Sequence, residues 1–151
     1  MRPELQEPPP RTAFAVFRPI ATRWADNDVY AHVNNVVYYA YFDTAVNGWL
    51  IEQGLLELGR SPVVALVVET GCSFFASVAF PDRLEAGLRV ERLGRTSVTY
   101  HIAIFREGEA RAAAAGRFVH VYVDASTQRP VAIPAPTRAA LEGLRLDPKP
   151  V

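Results

Sequence analysis

The chain has 151 residues, half of them hydrophobic and 21% charged, which bounds it to one domain with enough chain for a core. Lys plus Arg equals Asp plus Glu at 16 each, and this zero net charge excludes the basic excess that general nucleic-acid binding needs. There is a single cysteine, Cys72, no apolar run near the roughly 20 residues of a membrane span, and no apolar core in the N-terminal MRPELQEPPPRT. The expectation is a cytoplasmic soluble protein without disulfides, bound neither to a membrane nor to nucleic acid.

Residues 1–12 read as a flexible or extended tail, because Pro8-Pro9-Pro10 fits neither a helix interior nor a central strand. Residues 13–151 then form the domain. Phe14 to Trp24 reads as strand, and Pro19 points to an edge position or a break near its start. The connector Arg23 to Asn35, RWADNDVYAHVNN, gathers two carboxylates, one imidazole and three carboxamides. A plain loop more often uses Gly, Pro and Ser.

Val36 to Ile51 is too long for one strand. Its β-branched and aromatic start favours strand by propensity, but it lacks period-2 alternation, and length decides for helix. Asp43 and Asn47, four apart, share one narrow face. A helix so apolar elsewhere is expected to be wrapped by protein. Asn34 or Asn35 is the natural N-cap, and Gly54 and Gly59 mark the end and the exit turn.

The rest reads as strands. Val63 to Phe75 is long and β-branched, and Leu84 to Leu93 alternates. Ser97 to Arg106 sets Val98, Tyr100, Ile102 and Ile104 on one face, with Ser97, Thr99, His101 and Ala103 on the other. Glu107-Gly108-Glu109 is a hairpin turn, and Ala110 to Val123 is the last strand. Pro136 to Leu144 reads as a short terminal helix with Pro136 in its first turn. One strand, one long helix and four strands in succession predict an α+β fold, a five-stranded antiparallel sheet curled around one central helix. Such a sheet leaves edges open, which dimerisation covers.

The connector sharpens this. Asp26-Asn27-Asp28, His32-Val33-Asn34-Asn35 and Tyr38 resemble the D-x-D-x-x-x-H-V-N-N-x-x-Y signature of hotdog-fold acyl-CoA thioesterases of the 4-hydroxybenzoyl-CoA thioesterase-like family. The resemblance spans roughly residues 14–145. It implies that Asp28 is the catalytic carboxylate and that the backbone of Asn34, Asn35 and Val36 offers N–H donors to the thioester carbonyl. A Tyr often stands where this chain has Asn35. It further implies that Arg92-Leu93-Gly94-Arg95-Thr96-Ser97 matches a basic cluster that contacts coenzyme A phosphates. Gly94 and Thr96 stand here in place of basic residues. Family members are dimers or tetramers, a homodimer or a dimer of dimers, with active sites at the dimer interface.

The chemistry asks for such residues. A helix N-terminus carries unpaired N–H groups and partial positive charge, and so can hold an oxyanion. A carboxylate beside it can attack the thioester or activate water. The expected catalytic set is Asp28, His32, Asn34 and Asn35, with Val36, Tyr38, Arg92 and Arg95 toward substrate. His32 is first a positioning residue, and capping is an equal role for one of the asparagines. The resemblance implies an acyl-CoA substrate, with coenzyme A entering as part of it, and calls for no metal or other cofactor. The alternatives are an acyl carrier protein thioesterase and a non-catalytic acyl-thioester binding module.

Other residues have plainer readings. Asp26 pairs with Arg23 or a backbone N–H. Cys72 is a small core residue, and His101 and His120 are satisfied structural or surface residues without metal-ligand spacing. Asp26-Asn27-Asp28 opens like a calcium loop but has Ala31 and Val37 where that loop needs Gly and Glu. Glu69 faces a pocket or a subunit rim.

Overall fold

The computed structural model describes residues 7–146. The strands are β1 (Val16–Ala21), β2 (Val63–Phe74), β3 (Arg83–Leu93), β4 (Ser97–Arg106) and β5 (Ala114–Asp124). The helices are α1 (Val37–Glu52) and α2 (Ala135–Glu142), and short 3-10 turns occupy Arg11–Ala13 and Trp24–Asp26. All strand pairs are antiparallel, in one five-stranded sheet of order β1-β3-β4-β5-β2. This is the α+β architecture that the alternation and the long apolar run predict, and the hotdog fold that the resemblance implies. Chain order does not give the sheet order. β2 leaves its sequence neighbour β3 and pairs with β5 at the far edge, from Val63↔Asp124 to Phe74↔Ala114.

Period-2 burial sets the core. Val98, Tyr100, Ile102 and Ile104 of β4 lie buried beside Leu84, Ala86, Leu88 and Val90 of β3. Tyr38, Tyr41, Phe42, Ala45, Val46, Trp49 and Leu50 of α1 close onto them at helical spacing. The close approach needs Gly116 on β5, where an added Cβ would stand 2.9 Å from the Phe42 ring. The opposite sheet face carries a smaller cluster of Phe14, Ala103, Phe105, Ala112 and Ala115. Gly54 follows α1 with φ of 74°, and Gly59 turns the chain with φ of 73°.

Five expectations change. α1 is not wrapped all round, because a single sheet covers one side, and Ala40, Asp43, Thr44 and Ile51 are exposed. On that open side Asn47 Nδ2 donates to the Asp43 carbonyl and carboxylate, both at 2.9 Å. β1 is shorter than Phe14 to Trp24 because 3-10 turns take its flanks, and β5 starts at Ala114 rather than Ala110. Part of the expected tail is tied down: the Ala112 N–H donates to the Pro9 carbonyl at 3.0 Å, and Arg11 pairs with Glu85 at 2.9 Å. Residues 1–6 lie outside the described residues. Finally, His120 is buried with Nδ1 unpartnered among the described residues, as are the hydroxyls of Tyr100 and Tyr122. Burial depresses the His120 imidazole to about 4, which keeps it neutral near pH 7.

Candidate active site

The connector is held by one buried carboxylate. Asp26 is 0% exposed. Its Oδ2 accepts the Arg23 N–H at 2.9 Å and the Tyr41 hydroxyl of α1 at 2.7 Å. Its Oδ1 accepts Arg23 Nε at 2.9 Å and Nη2 at 2.8 Å. Burial alone would raise its pKa, but the hydrogen bonds from Tyr41 and Arg23 together bring it below the ordinary carboxylate value. Burial and then the Asp26 charge push the Tyr41 hydroxyl strongly upward. Both pairings expected of Asp26, with Arg23 and with a backbone N–H, are present. Tyr41 escaped sequence reasoning, because an apolar helix run gives no sign that one hydroxyl reaches back to residue 26.

Asp28 sits on the tip that follows. Its N–H donates to the His32 carbonyl at 2.9 Å, and its carbonyl accepts the Ala31 N–H at 3.0 Å. Ala31 takes the left-handed conformation, φ 64°, to close this turn. Asp28 Oδ1 accepts the Tyr30 N–H at 2.9 Å, and Oδ2 has no donor among the described residues. The side chain is half-buried. His32 thus braces Asp28 through its backbone, and its exposed imidazole makes no hydrogen bond among the described residues.

The helix start distributes its donors unequally. The Asn34 N–H is spent on the Asp26 carbonyl at 2.9 Å, and the Val36 N–H on Asn34 Oδ1 at 3.0 Å. Asn34 is therefore the capping asparagine, acting just ahead of Val36, which holds the formal cap position without a side-chain bond. The Asn35 N–H has no acceptor among the described residues. Of the three backbone donors expected here, one is free. Asn35 and His32 border a cleft of about 280 Å³, with Val33, Tyr38, Phe74, Phe75, Ala76 and Ser77. Tyr38 stacks edge-on against Phe74 at 5.1 Å. Asp28 does not line this cleft; it is joined to it through the His32 carbonyl.

Arg92 and Arg95 are not brought to this place. Both are exposed on the β3–β4 hairpin, without an ion pair among the described residues. The hairpin meets β5 at Ser97↔Val121, while the cleft borders the end where Ile104↔Ala114. Seven residues of β4 separate those rows, about 23 Å at strand rise. Cys72 packs half-buried against the main core, and burial pushes its thiol up to about 12, so it stays protonated. Glu69 pairs with Arg117 at 2.9 Å on the outer face.

An antiparallel sheet packed on one long helix, with an accessible carboxylate on the connector and an N–H just ahead of the helix that has no acceptor among the described residues, is the arrangement of a hotdog protein. The chain belongs to the thioesterase-like superfamily, which residues 22–141 match. It is similar to the PA5185 protein of Pseudomonas aeruginosa strain PAO1, at 56% identity and TM-score 0.89, over 91% of this chain and 96% of that one. It shares its fold with Slr0204 of Synechocystis, a 1,4-dihydroxy-2-naphthoyl-CoA thioesterase, at 19% identity and TM-score 0.75, over 83% and 93% of the two chains. It is also similar to the YsmA protein of Bacillus subtilis strain 168, at 21% identity across 60% of this chain and 61% of that protein. No helix among the described residues is long and apolar enough to cross a membrane.

Proposed function

We propose that this protein hydrolyses an acyl-CoA thioester to a carboxylic acid and free coenzyme A. The observation that carries the reading is that one connector presents two groups with unused capacity among the described residues, the Asp28 carboxylate at its tip and the Asn35 N–H just ahead of α1. Family membership supports thioester hydrolysis, and the acyl-CoA substrate is our own step.

In this reading the thioester carbonyl oxygen faces the Asn35 N–H, whose hydrogen bond strengthens as the oxygen gains charge. Asp28 takes a proton from water as the water oxygen bonds to the carbonyl carbon, or its free Oδ2 attacks that carbon directly. Collapse breaks the C–S bond, and the thiolate leaves and is protonated. In the direct route a second water then opens the anhydride. The reaction so written draws on water alone. The acyl group lies in the cleft against Tyr38 and Phe74. The aromatic lining, with the activity in the Synechocystis neighbour's name, makes an aryl-CoA one member of the test panel.

The proposal includes a homodimer, or a dimer of dimers. β2 is an edge strand with Leu66, Val67 and Val68 exposed, and Trp24, Val29 and Tyr30 of the connector are exposed as well. Antiparallel pairing of two β2 edges would carry a second copy's Arg92 and Arg95 to the end of the sheet where Asp28 lies. That removes the separation found within one chain and lets those guanidinium groups meet the coenzyme phosphates. The single free thiol suits the cytoplasm, where we place the protein.

The test is thiol release from short, long and aromatic acyl-CoAs by wild type and Asp28→Asn. Turnover by wild type and a loss of about 100-fold or more in the variant supports the reading, as expected for a missing acid–base group. Equal turnover sinks Asp28. No turnover on any ester overturns the acyl-CoA assignment and favours a carrier-protein thioester or a binding module.

A further inference from the structure

Asp26 is the most completely enclosed ionisable side chain of the connector, and the chemistry above does not use it. We propose that Asp26, clamped by Tyr41, is a positioning residue that fixes the Asn35 N–H relative to the Asp28 carboxylate. The clamp acts through both polar ends of one residue. Its carboxylate accepts the Tyr41 hydroxyl at 2.7 Å and so ties the connector to the second turn of α1. Its carbonyl accepts the Asn34 N–H at 2.9 Å, one residue before the free donor.

The other arm reaches Asp28. Only Asn27 stands between them, and it cannot swing. Its Oδ1 accepts the Phe80 N–H at 2.9 Å, and its backbone bridges to Val33. The proposed nucleophile or base and the proposed carbonyl donor therefore both hang from one buried side chain. A charged group suits the place. A carboxylate can accept the Arg23 N–H, the Arg23 guanidinium and the Tyr41 hydroxyl together, whereas a neutral amide would point an N–H at one of those donors.

The proposal rests on the hydrolase reading for its kinetic arm only. Tyr41→Phe removes one hydroxyl and keeps the packing, so it is the first variant. Asp26→Asn, which keeps the shape and removes the charge, is the second. In Tyr41→Phe the Asn34 amide is expected to exchange with deuterium about tenfold faster, as the loss of a hydrogen bond to a charged group allows, while the Ile102 amide of β4 is unchanged. Equal exchange at Asn34 overturns the proposal whatever the activity. With an active wild type, kcat is expected to fall about tenfold in Tyr41→Phe and further in Asp26→Asn, with KM within about twofold. An unchanged kcat, or a rise in KM alone, overturns it. A wild type inactive on every thioester sinks the hydrolase reading instead, and Asn34 exchange still judges the clamp.

Discussion

Asp26 and Asp28 are the same side chain two residues apart, and the fold treats them in opposite ways. Asp26 is sealed, with both oxygens spent on Arg23 and Tyr41. Asp28 spends one oxygen on its own turn, through the Tyr30 N–H, and keeps the other free. A carboxylate with every lone pair occupied holds structure. One with an oxygen left open on an accessible connector tip has capacity for chemistry. Spacing alone does not separate them; what separates them is whether a helix hydroxyl stands within reach.

Breaking the pair from its free end gives the largest effect. Asp28→Asn is expected to lose about 100-fold or more in turnover. It should shift the melting temperature by less than about 2 °C, since a half-buried side chain on the connector tip contributes little to the core. Calorimetry beside the thiol assay checks both, and a large drop in melting temperature would make Asp28 structural like its neighbour.

His120 sharpens the contrast, being buried like Asp26 but without a partner for Nδ1 among the described residues. Folding depresses its pKa from 6.5 to about 4, so the unfolded chain binds the proton first as pH falls. The stability of neutral His120 is complete above about pH 6.5 and is lost as pH falls toward about 4, amounting to about 3 kcal/mol at one site. Urea unfolding across that window should show the slope in wild type and its loss in His120→Phe. Asp26 runs on a lower window. Its pKa is depressed below 3.8, so its contribution persists through this range and fails only in stronger acid.

Breaking the pair from its sealed end costs more in stability than breaking it from the free end. Asp26→Asn is expected to destabilise by about 2 kcal/mol, below the full cost of breaking a buried pair because Arg23 remains 71% exposed. Urea midpoints measure it. The smallest effect belongs to the exposed hairpin. Arg92→Ser with Arg95→Ser should raise KM for an acyl-CoA about threefold at low salt, less as salt screens the charges, and leave kcat alone. A KM independent of salt would remove the hairpin from coenzyme binding.

Much of this was legible in the chain. The alternation of Ser97 to Arg106 sets its buried face as read, Pro19 marks an edge strand, and the long run after the connector is the central helix. The connector's composition pointed to the helix start. Other features were not legible, for physical reasons. β2 pairing with β5 is a long-range choice that no local pattern encodes. The open side of α1 follows from there being one sheet in the protomer. The unpartnered Nδ1 of His120 depends on three strand positions facing one another in the core.

The sequence by itself determined broadly where helix, strands and turns fall and singled out the short segment to which we assign the chemistry, because periodicity, turn residues and polar side chains act over a few residues. Only the tertiary structure decided which of two aspartates is sealed and which helix-start N–H is left unspent. It also set Arg92 and Arg95 at the far end of the sheet. Those outcomes depend on Tyr41 meeting Asp26 and on Asn34 meeting the Asp26 carbonyl. Such contacts exist only once the connector is folded against the helix.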